Sequence, residues 1–145
     1  MNSYNTTCSS FDMSEYPIIK VKIHPLKISV DDIKESVDVL MKILKKTTGP
    51  FVLYVDATEA PWLKNFERET TYTAIKYIQE EFKERYLAQY FLINNPAPAI
   101  RILIALIRGF GKKEVPQRIF TCEIKALKII NTDLERFYSR SPTLI

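Results

Sequence analysis

The chain alternates short apolar segments with longer segments of helical periodicity, and this alternation limits its fold more than any other feature. After Ile18, residues 19–23 alternate β-branched side chains with lysines, which predicts a half-buried strand. Residues 51–55 are apolar throughout, which favours a central strand covered on both faces. Residues 89–93 predict another strand, and residues 115–120 lead into a further short one. Helices between strands favour parallel pairing, so we predict an α/β domain with a mixed, mostly parallel sheet of about five strands and four helices.

Four segments have helical periodicity. The first begins at Ser29, a candidate N-cap with Asp32 at capping-box spacing, and ends at Gly49-Pro50. The others are predicted over residues 65–86, 99–108 and 121–130, the last with a helical continuation to residue 138.

The length of 145 residues is that of one domain. We assign residues 1–14 to a flexible tail or edge strand, in which 11–13 are a candidate hairpin partner for the first strand. Residues 15–138 form the domain, and residues 139–145 a C-terminal tail.

Composition points to a cytoplasmic protein. Two cysteines, Cys8 and Cys122, do not make a disulfide framework. Residues 1–15 lack the apolar core of a signal peptide. The longest apolar stretch, residues 102–107, is too short to span a bilayer.

Three segments carry a family resemblance. The strand at 51–55 closes on Asp56-Ala57-Thr58, residues 90–96 precede an apolar helix with Arg101, and residues 119–127 join a strand to a helix. Together they resemble the SpoIIAA-like superfamily, which includes the STAS domains and is grouped with the lipid-transfer CRAL-TRIO fold. The resemblance covers about residues 15–131. It implies a SpoIIAA-like fold and a bacterial, regulatory protein-interaction module.

One functional motif of that family is missing. STAS proteins that antagonise anti-sigma factors are switched by phosphorylation within an Asp-Ser-Ser/Thr-Gly motif at the start of the second helix. The corresponding residues 63–67 include no serine, threonine or glycine, and Thr70 and Thr71 lie only nearby. We therefore predict no phosphorylation site in this chain from the resemblance to STAS proteins.

No residue pattern predicts catalysis. His24 is the only histidine, and one imidazole makes neither a triad nor a metal site. Cys122 precedes a predicted helix, where a thiol pKa can fall, but we interpret it as a small hydrophobe behind the strand. We expect no enzyme activity, catalytic residue, metal or cofactor.

The leading functional hypothesis concerns the predicted third helix, which is apolar on all sides and needs cover on each. Between Arg101 and Arg118 the chain carries five basic residues against Glu114, an excess that equals the net charge of +4. This is too small for a nucleic-acid footprint, so we exclude that partner. Either other helices and residues 134–138 cover the remaining sides of this helix, or a partner does. For the second case we expect a protein partner or a homodimer, and place peripheral membrane contact behind both. The expected surface comprises Arg101, Leu103, Leu106, Ile107, Arg108, Phe110, Lys112 and Lys113.

The alternative function is a small apolar-ligand or lipid-binding module, as the CRAL-TRIO relationship allows. Ligands of open α/β sheets bind at the carboxyl ends of the strands. Asp56, Thr58 and Trp62 are predicted there as a ligand pocket, unless the aromatic side chains of this loop pack on one another.

Overall fold

A computed structural model of the chain describes residues 2–60, 65–94 and 116–140. In these residues six strands form one mixed sheet and three helices accompany it, which confirms the predicted α/β class. The strands are β1 (Ser3–Asn5), β2 (Ser9–Asp12), β3 (Ile18–Ile23), β4 (Phe51–Asp56), β5 (Tyr86–Leu92) and β6 (Gln117–Phe120). The helices are α1 (Val30–Lys46), α2 (Asn65–Glu81) and α3 (Glu123–Arg140).

The strands lie side by side in chain order. β1, β2 and β3 pair antiparallel, whereas β3, β4, β5 and β6 run parallel to one another. Parallel neighbours need a crossover connection, and α1 and α2 supply it for β3 to β4 and for β4 to β5. The sheet exceeds the predicted five strands because residues 3–5 also pair, although their sequence has no apolar alternation.

The two faces of the sheet carry separate cores. Phe51 and Leu53 of β4 belong to the core beneath α1 and α2, and Val52 and Tyr54 belong to the core beneath α3. All four side chains are at most 5% exposed. The uninterrupted apolar run at 51–55 therefore identified a central strand covered on both faces, as predicted.

The start of α1 forms the predicted capping box. The Asp32 backbone N–H donates to Ser29 Oγ at 3.1 Å, and the Ser29 N–H donates to Asp32 Oδ2 at 2.9 Å. These reciprocal bonds satisfy amides that the first helical turn leaves without partners.

The ends of two predicted helices need correction, and a further predicted helix cannot be compared with the structure. The second helix ends at Glu81 and not at residue 86. Tyr86 is instead the first residue of β5, where the centroid of its ring lies 4.9 Å from that of the Phe51 ring. The last helix continues without a break to Arg140, into the segment assigned to the C-terminal tail. The predicted third helix, at residues 99–108, lies outside the described residues.

Candidate functional site

A cavity of about 280 Å³ lies between the sheet and the layer formed by α1 and α2. We call it the helix-side cavity. Its sheet wall includes Leu53 of β4 and Phe91 of β5, and its helix wall includes Leu40 of α1 and Ile75 and Ile78 of α2. The cavity is partly open, because its lining also includes the exposed Ala60 and the half-buried Ala57 and Thr71. Small-molecule sites are typically clefts with mainly apolar walls, so this cavity is the main candidate site.

An irregularity in β5 brings two polar residues to this cavity. Phe51 pairs with Tyr86, whereas the next residue, Val52, pairs with Ala88, so that Leu87 has no partner on β4. Because side chains alternate along a strand, residues three apart normally face opposite sides, and an extra residue changes that phase. Tyr86 and Gln89 consequently both line the helix-side cavity.

Other polar side chains in the lining already have partners. Cys8 Sγ lies 3.2 Å from Ser36 Oγ, which lies 2.7 Å from Ser9 Oγ. Thr71 Oγ1 donates to the carbonyl oxygen of Glu67 at 2.9 Å. These groups leave little hydrogen-bonding capacity for a ligand.

Tyr86 and Gln89 differ from those groups. The Tyr86 hydroxyl is buried and has no hydrogen-bond partner in the described part of the chain. Burial raises the pKa of Tyr86 well above its usual value, so the hydroxyl stays neutral. Gln89 is 2% exposed, and its Oε1 accepts a 3.4 Å hydrogen bond from Gln79 Nε2. Gln89 is therefore a buried polar side chain in the lining, whereas the Tyr86 hydroxyl has practically no accessible surface and does not open onto the cavity.

The lining carries no charge among the residues that the structure describes. None of the described lining residues is an aspartate, glutamate, lysine, arginine or histidine. The described part of the lining therefore offers no charged partner to an ion, and burying an unpaired charge is costly.

A second depression lies between α1 and α2 and shares the lining residues Ile33, Val37 and Ala74 with the helix-side cavity. We call it the outer groove. Its described lining is Ile33, Lys34, Val37, Asp38, Phe66, Glu69, Thr70, Thr73, Ala74 and Tyr77. Phe66 is 65% exposed and Tyr77 50% exposed. These two side chains give the groove an apolar centre beside charged residues.

The predicted ligand pocket at the carboxyl edge is described in part. Thr58 donates to Asp56 Oδ1 twice, from its backbone N–H at 3.0 Å and from its hydroxyl at 2.6 Å. Asn94 Nδ2 in turn donates to the carbonyl oxygen of Thr58. Asp56 and Thr58 thus close the turn after β4, and Trp62 lies outside the described residues.

The predicted interaction surface at residues 101–113 also lies outside the described residues.

The two residues considered for catalysis lie in different surroundings. His24 Nε2 lies 2.9 Å from Ser10 Oγ at the end of β3. The Cys122 thiol is exposed just before α3, so its interpretation as a buried hydrophobe is wrong. Its carbonyl oxygen accepts the Ala126 N–H, which places the residue at the start of the helix, where side chains point outward.

Sequence reasoning missed the helix-side cavity and its two polar residues. One signal was available, because Gln89 is an amide in an otherwise apolar strand, and a polar residue in a buried strand needs a partner. The position of Tyr86 had no such signal, since the pattern placed it on the end of a helix.

Comparison of the chain with protein-family models, with curated proteins and with solved structures gives no match. Within the described ranges, no helix combines the length and the apolar character needed to cross a membrane. In the same residues, no three His, Cys, Asp or Glu side chains are grouped as metal ligands would be.

Proposed function

We propose that this protein binds a small, uncharged, largely apolar molecule in the helix-side cavity. The observation that carries the proposal is the cavity itself, about 280 Å³ between the sheet and α1 and α2 and lined mainly by aliphatic and aromatic side chains. Small-molecule sites are typically concave and apolar, with few polar groups that set orientation.

The volume limits the ligand to a small size. An apolar protein cavity of about 150 Å³ holds benzene, with its six carbon atoms. In proportion, a cavity of about 280 Å³ accommodates about eleven non-hydrogen atoms. This is the size of a bicyclic aromatic or a medium-chain molecule.

The lining limits the charge of the ligand. Its described residues offer neither a cation for a carboxylate nor an anion for an amine. Apolar contact is then the main source of affinity, at about 25 cal/mol for each Å² removed from water. The proposal corresponds to the alternative function predicted from the sequence, a small apolar-ligand-binding module.

Equilibrium dialysis of the full chain against naphthalene tests this proposal. Naphthalene has a suitable size, and we expect one molecule to bind per chain with a Kd below about 1 mM. Val55→Trp places a large ring in the cavity and should weaken binding at least about tenfold. If Val55→Trp is unstable, Leu53→Phe can replace it as a milder change in the same wall, and it should also weaken naphthalene binding.

The control is Tyr77→Ala, which changes the outer groove and leaves the helix-side cavity as it is. Loss of naphthalene binding in this variant, with full binding by Val55→Trp, would show that the probe occupies the groove. Either that result or no binding by the wild-type chain would refute the proposal.

A second candidate is the regulatory interaction module that the STAS resemblance implies, acting as a homodimer. The supporting observation is the outer groove, where exposed Phe66 and Tyr77 are flanked by Lys34, Asp38 and Glu69. Charges of both signs around an apolar centre suit contact with a second copy of the same surface.

Sedimentation velocity distinguishes this candidate. A dimer that dissociates in the Phe66→Ser and Tyr77→Ser variants supports it, and a wild-type monomer at high concentration contradicts it.

A further inference from the structure

We propose that the ligand is a single-chain amphiphile, with its alkyl chain in the helix-side cavity and an uncharged, hydroxyl-bearing head group in the outer groove. This inference rests on the proposed function and adds the part of the ligand that lies outside the cavity. It starts from the residues that line both depressions, which are Ile33 and Val37 of α1 and Ala74 of α2.

The first step is the boundary between the cavity and the groove. Because the same three side chains line both, the two spaces adjoin where α1 contacts α2. Val37 and Ala74 are half-buried, so solvent reaches this boundary. An alkyl chain that leaves the cavity between these two residues therefore enters the groove directly.

The second step is the length of the alkyl chain. The cavity volume of about 280 Å³ corresponds to about eleven non-hydrogen atoms. A chain of about ten carbon atoms fills this volume. Each CH₂ group that moves from water into an apolar site tightens binding up to about fourfold, so affinity should rise with chain length up to this limit.

The third step is the chemistry of the groove. The exposed side chains of Lys34, Asp38 and Glu69 lie beside the exposed rings of Phe66 and Tyr77. A hydroxyl group can donate to a carboxylate and accept from an ammonium group, so a head group with several hydroxyls suits charges of both signs. Its C–H groups can pack on the rings, which removes apolar surface from water. A sugar combines both properties.

Three probes test the inference with the full chain: octyl glucoside, decyl glucoside and 10-hydroxydecyl glucoside. Equilibrium dialysis below the concentrations at which micelles form should show decyl glucoside bound about tenfold more tightly than octyl glucoside. The 10-hydroxydecyl glucoside should bind at least about tenfold more weakly than decyl glucoside, because its terminal hydroxyl enters an apolar cavity.

Three variants locate the two ends of the probe. Ala74→Phe fills the boundary and should weaken decyl glucoside binding at least about tenfold. Tyr77→Ala removes a ring from the groove and should weaken decyl glucoside binding about fivefold, while naphthalene binding stays unchanged. Lys76→Phe is the matched control, since it adds an equally large side chain at an exposed position of α2 beside the groove residue Tyr77, and it should bind decyl glucoside as the wild type does.

The outcomes separate the two proposals. If naphthalene does not bind, the proposed function itself is wrong. Three results would overturn this inference and leave the proposed function in place: no gain in affinity from octyl to decyl glucoside, equal affinity for 10-hydroxydecyl glucoside, or full affinity for decyl glucoside in both Ala74→Phe and Tyr77→Ala. A dimer that requires Tyr77 and persists with decyl glucoside bound would overturn it as well, because a second copy of the chain then occupies the groove.

Discussion

Arg85 donates a hydrogen bond of 2.7 Å from Nη1 to the carbonyl oxygen of Leu44, in the last turn of α1. The same guanidinium donates from Nε to the carbonyl oxygen of Gly49 at 2.7 Å and from Nη2 to Thr47 Oγ1 at 3.0 Å. Carbonyl groups at a helix C-terminus have no partner within the helix. Arg85, which precedes β5, therefore caps α1 and fixes the chain that leads into β4.

We expect Arg85→Ala to lower the free energy of unfolding by about 2 kcal/mol, because it removes several charge-assisted hydrogen bonds and the contact with the Phe51 ring. Arg85→Lys should recover less than half of this loss, since an ammonium cannot reproduce the planar fork of donors. Urea unfolding measures both variants. Lys83→Ala, at an exposed neighbouring position, is the control, and equal stability of all three variants would contradict the prediction.

A second polar contact ties the other helix layer to the sheet. The Tyr90 hydroxyl donates a 2.7 Å hydrogen bond to Asp133 Oδ2, and Arg118 Nε lies 3.7 Å from the same oxygen. Tyr90 is 1% exposed and Asp133 7% exposed. We expect Tyr90→Phe to destabilise the protein by about 2 kcal/mol, because a buried carboxylate loses its close donor.

A double-mutant cycle with Asp133→Asn gives the coupling between the two residues. We expect a coupling of about 1 kcal/mol or more. Additive effects of the two single substitutions would show that this contact does not hold α3 on the sheet.

The fold was predictable where one local pattern determined the outcome. The capping box of Ser29 and Asp32 is visible in the sequence, because both partners lie within four residues. The continuous run of apolar residues in β4 likewise predicts that both faces of this strand are buried. Tyr86 shows the limit of this reasoning, since its helical spacing was overridden by packing against Phe51, a residue far away in the chain.

The cavity was not predictable from any pattern. Its walls come from β2, β3, β4, β5, α1 and α2, and its volume is what remains when their side chains are packed. Periodicity tells which face of an element is buried and not how completely opposing faces fill the space between them. Gln89 offered a clue to polarity, but nothing in its neighbourhood in sequence indicated an empty space beside it.

Tyrosines in the core make stability sensitive to alkaline pH. Burial, and then the negative charges of Glu123, Asp56 and Cys122, raises the pKa of Tyr54 to about 12. A tyrosine pKa that is higher in the folded than in the unfolded chain contributes stability below the unfolded value of about 10. That contribution is lost as the pH rises from about 10 towards 12.

We therefore expect the free energy of unfolding to fall above pH 10, and Tyr54→Phe to reduce the slope by up to about 1.4 kcal/mol per pH unit. Urea unfolding between pH 8 and pH 11.5 measures the free energy of unfolding of both proteins. Lysine titration affects both proteins equally, so it drops out of the difference between the two curves. Parallel curves for the two proteins would contradict the assignment.

The same substitution should have opposite effects at two positions of β5. Tyr90 has a buried hydrogen-bond acceptor, whereas the Tyr86 hydroxyl has no partner in the described residues. Removing an unpaired buried hydroxyl relieves its desolvation cost, so we expect Tyr86→Phe to raise the free energy of unfolding by about 1 kcal/mol in the absence of ligand. Tyr90→Phe lowers it, and thermal or urea unfolding of the two variants side by side gives the comparison. If Tyr86→Phe destabilises the protein as much as Tyr90→Phe does, the Tyr86 hydroxyl has a hydrogen-bond partner in the protein, which would contradict this prediction.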